Sequence, residues 1–203
     1  STFIDVGVLA LIILFQPELR HWLMKFGARY VDMTGKGRSM IDKLLGIKEK
    51  KMGGDSLDEI AEACRMMAEQ KTGALIVIQR NNSLNYVIET GDEVDARISR
   101  RLIMNIFFKN SPLHDGAMII RGDRIVAARC TLPITSRTDI PAKFGMRHRA
   151  AVGISEETDA DVIVVSEETG EISFVREGRI EKIGNINELK LLLGAGENLS
   201  EDN

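Results

Sequence analysis

Short, uninterrupted apolar runs set the tightest limit on how this chain can fold. The run Ala74–Ile78 is entirely aliphatic, and the apolar residues 117–120 follow directly on the polar pair Asp115-Gly116. Runs of four or five such residues, bounded by glycine and polar positions, are typical of buried strands. Asp115 is therefore predicted to lie at the mouth of a strand that enters the core.

Turn signals predict two β-hairpins in the second half of the chain. The two-residue turn Gly122-Asp123 separates strands at 117–121 and 124–131. A second hairpin joins 161–166 to 171–176 through the polar segment 167–170. Much of the chain from 117 onward is therefore expected to be β-structure.

Helices are expected before, between and after these strands. Ser56 and Glu59 have the spacing of a capping box, which predicts a helix start there. Apolar positions three and four apart predict further helices over 94–108 and 186–193. The combined pattern predicts the α/β fold class, with a mixed central β-sheet flanked by helices and beginning near residue 54.

The N-terminal segment has a different character. Residues 6–15 are apolar without a break, which is half the roughly 20 residues that span a bilayer. Trp22 and a series of cations follow, as at the cytoplasmic edge of a membrane helix. We predict the truncated end of a transmembrane helix and a juxtamembrane segment at 1–30. A buried or partner-bound amphipathic helix is the alternative.

Four domains follow from these boundaries. Their limits are 1–30 for the membrane end, 31–53 for a helical connector, 54–195 for the α/β domain and 196–203 for a flexible acidic tail. The net charge of −3 and the aromatic content of 5% argue against a nucleic-acid partner. Cys64 and Cys130 are predicted to be buried, reduced thiols.

A basic cluster lies beside the predicted strand-end carboxylate. Residues 121–149 contain seven Lys and Arg against two Asp and Glu, and end in Arg147-His148-Arg149. Guanidinium groups are costly to bury without an anionic partner, and each can bind phosphate with two hydrogen bonds. Asp115, together with the carboxylates at 167–168, offers oxygen ligands for Mg²⁺ or Mn²⁺. The cluster therefore predicts a phosphate site next to a metal ligand or base.

Each of these residues also has an ordinary structural explanation. Asp115 precedes a glycine and could cap a turn. Arg147 or Arg149 could form surface ion pairs with the acidic C-terminal stretch, and 167–170 could be a plain hairpin turn. Together the residues predict a site, but they do not name a substrate.

Five motifs occur in an order that resembles the diadenylate cyclase (DAC) family, in its membrane-anchored bacterial type. They are Thr72-Gly73-Ala74-Leu75-Ile76-Val77, Ser111-Pro112-Leu113-His114-Asp115-Gly116-Ala117, Leu132-Pro133, Gly145-Met146-Arg147-His148-Arg149-Ala150-Ala151 and Ser166-Glu167-Glu168-Thr169-Gly170. The resemblance covers about residues 54–180 as a catalytic domain and extends to the N-terminal apolar segment. It implies the DAC-domain fold.

The resemblance implies the condensation of two ATP molecules into cyclic di-AMP, with release of two pyrophosphates and a requirement for Mn²⁺ or Mg²⁺. Each ribose 3′-hydroxyl would attack the α-phosphate of the other ATP across a facing homodimer. Asp115 would bind the metal or help to activate the hydroxyl, and Arg147, His148 and Arg149 would bind the phosphates. The implied metal ligands are Asp115, Glu168 and His114. The implied nucleotide contacts are Gly73, Leu75, Gly116, Ala117, Leu132, Met146 and Ser166.

Two positions depart from the family pattern. Met146 stands where many relatives have threonine, and Thr131 stands where some have tyrosine. The resemblance further implies a location at the cell membrane with the catalytic domain on the cytoplasmic side. It also implies a membrane regulator and phosphoglucosamine mutase as partners. The alternative functions are a catalytically silent sensor of nucleotide or cyclic di-AMP, and a structural membrane adaptor.

Overall fold

The computed structural model describes residues 52–141 and 143–198. This part of the chain contains five helices and seven strands. The helices are α1 (Gly54–Glu69), α2 (Asn85–Ile88), α3 (Arg100–Ile106), α4 (Met146–Glu157) and α5 (Ile186–Asn198). The strands are β1 (Ala74–Ile78), β2 (Asp92–Arg97), β3 (Ala117–Arg121), β4 (Arg124–Cys130), β5 (Asp161–Val165), β6 (Ile172–Arg176) and β7 (Arg179–Lys182).

All seven strands belong to one mixed sheet, in the order β2-β4-β3-β1-β5-β6-β7. The central strands β1 and β3 run parallel, with Ile76 opposite Met118. Every other neighbouring pair is antiparallel. The predicted α/β class with a mixed central sheet is confirmed, and so are both predicted hairpins.

Helices cover both faces of the sheet, which accounts for the unbroken apolar runs. Ile76 and Ile78 of β1 pack in a cluster with residues from α1, α3 and α5. Leu75 and Val77, which point to the opposite face, pack in a second cluster with residues from α4 and α2. A strand buried on both faces has no solvent side that would favour alternating polar residues.

Both cysteines are free and buried, as predicted. Cys64 lies on the buried face of α1, and burial raises the pKa of its thiol to about 12. Cys130 ends β4, and burial raises its pKa to about 11. The charged thiolate is disfavoured away from water, so both groups act as small apolar side chains.

The predicted helix over 94–108 is wrong in its first half. Residues 92–97 form strand β2 at the edge of the sheet, and helix α3 begins only at Arg100. The burial of β2 alternates along the strand, with Glu93 and Asp95 exposed. An edge strand needs only one apolar face, and its residues happened to continue the helical spacing of α3.

The predicted capping box is also wrong. Helix α1 begins at Gly54, and the Ser56 hydroxyl donates a 2.9 Å hydrogen bond to Asp123 Oδ1 instead of capping its own helix. The same carboxylate accepts a 2.6 Å hydrogen bond from the backbone N–H of Gly53. Glu59 accepts from the backbone N–H of Arg100. A distant hairpin turn therefore supplies the acceptor that the local motif was expected to provide.

Helices α2 and α4 and strand β7 were not predicted, and α5 continues to Asn198 rather than ending at 193. Residues 1–30, where a transmembrane end was predicted, lie outside the described part of the chain, as do all but the last two residues of the predicted connector. None of the described helices combines the length and apolarity needed to cross a membrane.

Candidate functional site

The motifs identified in the sequence meet where the central strands begin or end. This row of strand ends is the edge of the sheet referred to below. Strands β1 and β3 are parallel, so Gly73 and Gly116, which precede them, lie side by side. Strands β4 and β5 run the other way, and their ends bring Leu132 and Ser166 to the same edge. Arg147, in the first turn of α4, reaches this edge as well.

Gly116 occupies a position that only glycine fits. Its φ of +136° is disfavoured for L residues, and an added Cβ would lie 2.8 Å from the carbonyl carbon of Arg129. Arg129 itself has φ +56°, at an irregularity where the β3–β4 register shifts. The backbones of the two strands therefore approach closely where the predicted nucleotide contacts Gly116 and Ala117 begin β3.

Asp115 is exposed just before β3, as predicted, and its negative charge acts on the guanidinium of Arg129. The Arg129 guanidinium donates to both carboxylate oxygens of Asp92, over 2.7 and 3.3 Å. Hydrogen bonding to Asp92, and the charge of Asp115 to a smaller extent, raise the pKa of Arg129. A cation is thus held beside the carboxylate that the sequence predicts to be catalytic.

Arg147 forms an ion pair that the sequence did not predict. Its Nη1 lies 2.8 Å from Oε2 of Glu167, in the turn after β5. Both groups lie against Gly73, where an added Cβ would be 2.7 Å from Arg147 Nη1 and 2.9 Å from Glu167 Oε2. The missing side chain at residue 73 is what allows the pair to pack on the backbone that precedes β1.

His148 lies deeper than the two arginines that flank it. Its side chain is buried, with Nε2 3.2 Å from Ser173 Oγ on β6 and the ring 4.6 Å from that of Phe144. Burial lowers the pKa of His148, so the ring is neutral at pH 7. These contacts are all with protein groups, and phosphate binding by His148 stays a prediction.

Arg149 contacts the loop that connects β4 to α4. Its Nη1 donates to the carbonyl oxygen of Arg137 over 3.3 Å, and its own carbonyl accepts from the Thr135 N–H. Gly153 lies so close to the same loop that an added Cβ would be 2.2 Å from the carbonyl oxygen of Pro133. Helix α4 thereby fixes the loop that contains Leu132. The role of Arg149 with phosphate stays a prediction.

Four of the predicted nucleotide contacts, two leucines with Met146 and Ser166, differ in how their side chains are exposed. Leu75 and Leu132 are buried in the cluster under α4, so only their backbone atoms can face a ligand. Met146 is 63% exposed at the start of α4. The Ser166 hydroxyl accepts from the backbone N–H groups of Glu168 and Thr169 and so shapes the turn after β5.

The predicted metal ligands are not clustered around a common point. Within residues 52–141 and 143–198, no three His, Cys, Asp or Glu side chains are grouped to hold a metal ion. The chemistry of the individual donors still fits a divalent cation. His114 Nδ1 lies 2.6 Å from the carbonyl oxygen of Ser111, which accepts only, so Nδ1 carries the proton and Nε2 has the free lone pair. Glu168 and Asp115 are exposed carboxylates.

Sequence reasoning missed four residues that organise this edge: Glu167 as the partner of Arg147, Ser173 as the partner of His148, and the Asp92–Arg129 pair. Each pair is remote in sequence, so no spacing rule indicates it. The only available signal was the pair of adjacent carboxylates at 167–168, which suggested metal ligands rather than an arginine partner.

A comparison with protein families matches the part of the chain that contains these residues. The family described as "DAC: DisA bacterial checkpoint controller nucleotide-binding" matches residues 61–180. The cyclic di-AMP synthase CdaA of Bacillus subtilis is 41% identical over 176 residues, which are 87% of this chain and 61% of that protein. A diadenylate cyclase of Listeria monocytogenes is 41% identical over 174 residues, with 86% and 60% covered. The chain thus spans about three fifths of the length of these relatives.

Solved structures with a similar fold point the same way. The crystal structure of a double mutant of DacA from Staphylococcus aureus matches with a TM-score of 0.68 and 42% identity, over 70% of this chain and 95% of that one. A hypothetical membrane spanning protein from Bacillus cereus matches with a TM-score of 0.63 and 34% identity, over 85% and 79%. The predicted resemblance and fold are both confirmed.

Proposed function

Because the chain belongs to the DAC family, we propose that it is the catalytic part of a diadenylate cyclase, which condenses two ATP molecules into cyclic di-AMP and two pyrophosphates. One observation supports this most strongly. Arg147, at the start of α4, and Asp115, just before β3, both lie at the edge of the sheet where Gly73 and Gly116 let neighbouring groups pack directly on the backbone. That edge combines cations for phosphate with a carboxylate for the hydroxyl.

Each group has a role in the proposed reaction. Attack on an α-phosphate builds negative charge on the bridging and leaving oxygens, and positioned arginines stabilise that charge. We assign this role to Arg147 and Arg149. The positive end of α4 adds to it, because Gly145 provides no side-chain cap at that terminus. Asp115 is assigned to the attacking 3′-hydroxyl, as the acceptor of its proton or as a metal ligand.

The divalent metal belongs to the same proposal. Asp115, Glu168 and the Nε2 atom of His114 are the groups that would hold Mn²⁺ or Mg²⁺. A site with few protein ligands suits an ion that also binds phosphate oxygens and water. When bound, the ion offsets the charge of the triphosphate and polarises the α-phosphate.

A single domain that holds a single ATP cannot close the product ring. Two copies that face each other across a two-fold axis would each present a 3′-hydroxyl to the α-phosphate of the other. We therefore propose a facing homodimer as the active form. The second candidate, a silent sensor of nucleotide or cyclic di-AMP, would use the same edge of the sheet but would release no product.

A membrane location is proposed for the whole protein. The apolar residues 6–15, followed by Trp22 and several cations, support a transmembrane end at 1–30 with the catalytic domain on the cytoplasmic side. The similar Bacillus cereus protein is described as membrane spanning. A membrane regulator and phosphoglucosamine mutase are proposed as partners on family resemblance alone.

The proposed activity is tested with Asp115→Asn. The protein is incubated with ATP and either Mn²⁺ or Mg²⁺, and the products are separated by chromatography. Wild type should form cyclic di-AMP, and Asp115→Asn should form none while its thermal unfolding is unchanged, because Asp115 is exposed. Full turnover by the variant would refute the assignment. Binding of ATP without product in wild type would favour the sensor.

A further inference from the structure

We propose that Glu167 is a positioning residue, which holds the Arg147 guanidinium in place for the phosphates before the nucleotide binds. This inference rests on the proposed function, and it gives Glu167 a role distinct from the metal binding suggested for the adjacent Glu168. The evidence is the geometry of three residues from different elements: Gly73 before β1, Arg147 in α4 and Glu167 after β5.

The three residues form a close-packed unit. The ion pair between Arg147 Nη1 and Glu167 Oε2 is 2.8 Å long. Seen from Gly73, an added Cβ would lie within 2.9 Å of Nη1 and Cζ of Arg147 and of Oε2 of Glu167. Such short distances mean that the guanidinium and the carboxylate lie directly on the Gly73 backbone. The two side chains thus contact the backbone that precedes β1 as well as each other.

The two partners differ in their exposure to solvent. The Arg147 side chain is 26% exposed, and that of Glu167 is 60% exposed. The arginine is therefore the more buried of the two, and the glutamate contacts it on the side that faces solvent. An exposed carboxylate is well screened, so its repulsion of a triphosphate is weak, whereas its ion pair with the guanidinium acts at contact distance.

A guanidinium can bind carboxylate and phosphate at the same time. It has five N–H donors in a planar fork, and the ion pair with Glu167 is made at Nη1. A free arginine side chain loses rotamer entropy when it is fixed in one orientation. Because Glu167 fixes the side chain before ATP binds, this entropy is not lost during the reaction. The guanidinium is already oriented when charge develops on the α-phosphate.

The test is Glu167→Gln, measured in two backgrounds with wild-type Arg147 and with Arg147→Lys. In the wild-type background, kcat for cyclic di-AMP formation should fall about tenfold, with a smaller change in KM. In the Arg147→Lys background, the same change should have almost no further effect, because Glu167 acts through the guanidinium. Glu167→Asp should retain part of the activity. A purely structural role would lower kcat equally in both backgrounds and overturn the proposal.

Binding is measured separately with 3′-deoxy-ATP, which cannot be condensed because it lacks the attacking hydroxyl. Glu167→Gln should bind it several-fold more weakly than wild type. Tighter binding would show that Glu167 shields Arg147 rather than orients it, and would overturn the proposal. Glu62→Gln is the matched control, because Glu62 forms a 2.6 Å ion pair with Arg65 on α1, and it should leave all values unchanged.

The outcomes also separate this inference from the proposed function. If wild type forms no cyclic di-AMP, the proposed function fails, while the binding measurement still tests Glu167. If wild type is active and Glu167→Gln has the same kcat and the same affinity for 3′-deoxy-ATP, only the inference fails. Thermal unfolding of each variant shows that the comparison is made between folded proteins.

Discussion

At the scale of single residues, the most demanding position is Gly116. Its positive φ and its close approach to Arg129 exclude any side chain, and it follows directly on Asp115. The backbone at this point therefore determines how the carboxylate is presented to a ligand. The unusual φ of Arg129 on the neighbouring strand adds to the crowding, and such conformations cluster at functional sites.

We predict that Gly116→Ala lowers the free energy of unfolding by about 2 to 3 kcal/mol and abolishes turnover. The methyl group would both force a disfavoured φ and collide with the backbone of Arg129. Chemical denaturation and the product assay measure the two effects. Gly54→Ala is the control, because Gly54 begins α1 away from the site and an added Cβ there has no heavy atom within 4 Å. Equal stability of Gly116→Ala and wild type would contradict this explanation.

At the scale of elements, His148 fixes helix α4 to strand β6. Its buried ring bonds to Ser173, so the arginines on either side are placed by a residue that faces the core. Burial lowers the pKa of His148 below its ordinary value of 6.5, and the unfolded chain therefore binds a proton more readily than the folded one. Stability from this group is present above about pH 6.5 and is lost as the pH falls through the folded pKa.

We predict that His148→Gln removes this part of the pH dependence. In wild type, the free energy of unfolding should decrease as the pH falls from 7 towards 5.5, above the range in which most carboxylates titrate. In the variant, which cannot bind the proton, the decrease should be smaller. Urea denaturation at a series of pH values measures it. Parallel pH profiles for the two proteins would show that His148 does not titrate as described.

Some of these elements could be predicted from the sequence, and others could not. Strands β1, β3 and β5 were predictable because burial on both faces leaves runs with no polar residue. The edge strand β2 was mistaken for helix, since its apolar residues on one face extended the spacing of α3. For the site, the motifs indicated which residues matter. The Arg147–Glu167 contact was not predictable, because it depends on how α4 packs against the end of β5.

At the scale of the whole molecule, the five motifs each reach one edge of the sheet in the described part of the chain. Helices pack on the two faces, while the edge that holds Asp115 and Arg147 is formed by strand ends, turns and the start of α4. In the proposed facing dimer, this edge would lie against the same edge of a second copy. The proposed membrane segment at 1–30 would raise the local concentration of domains and restrict their orientation, which favours that encounter.

A dilution series shows whether two facing chains are needed to make cyclic di-AMP from two ATP molecules. A chain beginning at Met52 is incubated with ATP and Mn²⁺ or Mg²⁺ from well above to well below its dimer dissociation constant, and cyclic di-AMP is quantified per chain. Product is expected to form, and specific activity is expected to fall steeply once the dimer dissociates. Specific activity that stays constant through the whole range would show that one chain suffices and would contradict the facing-dimer mechanism.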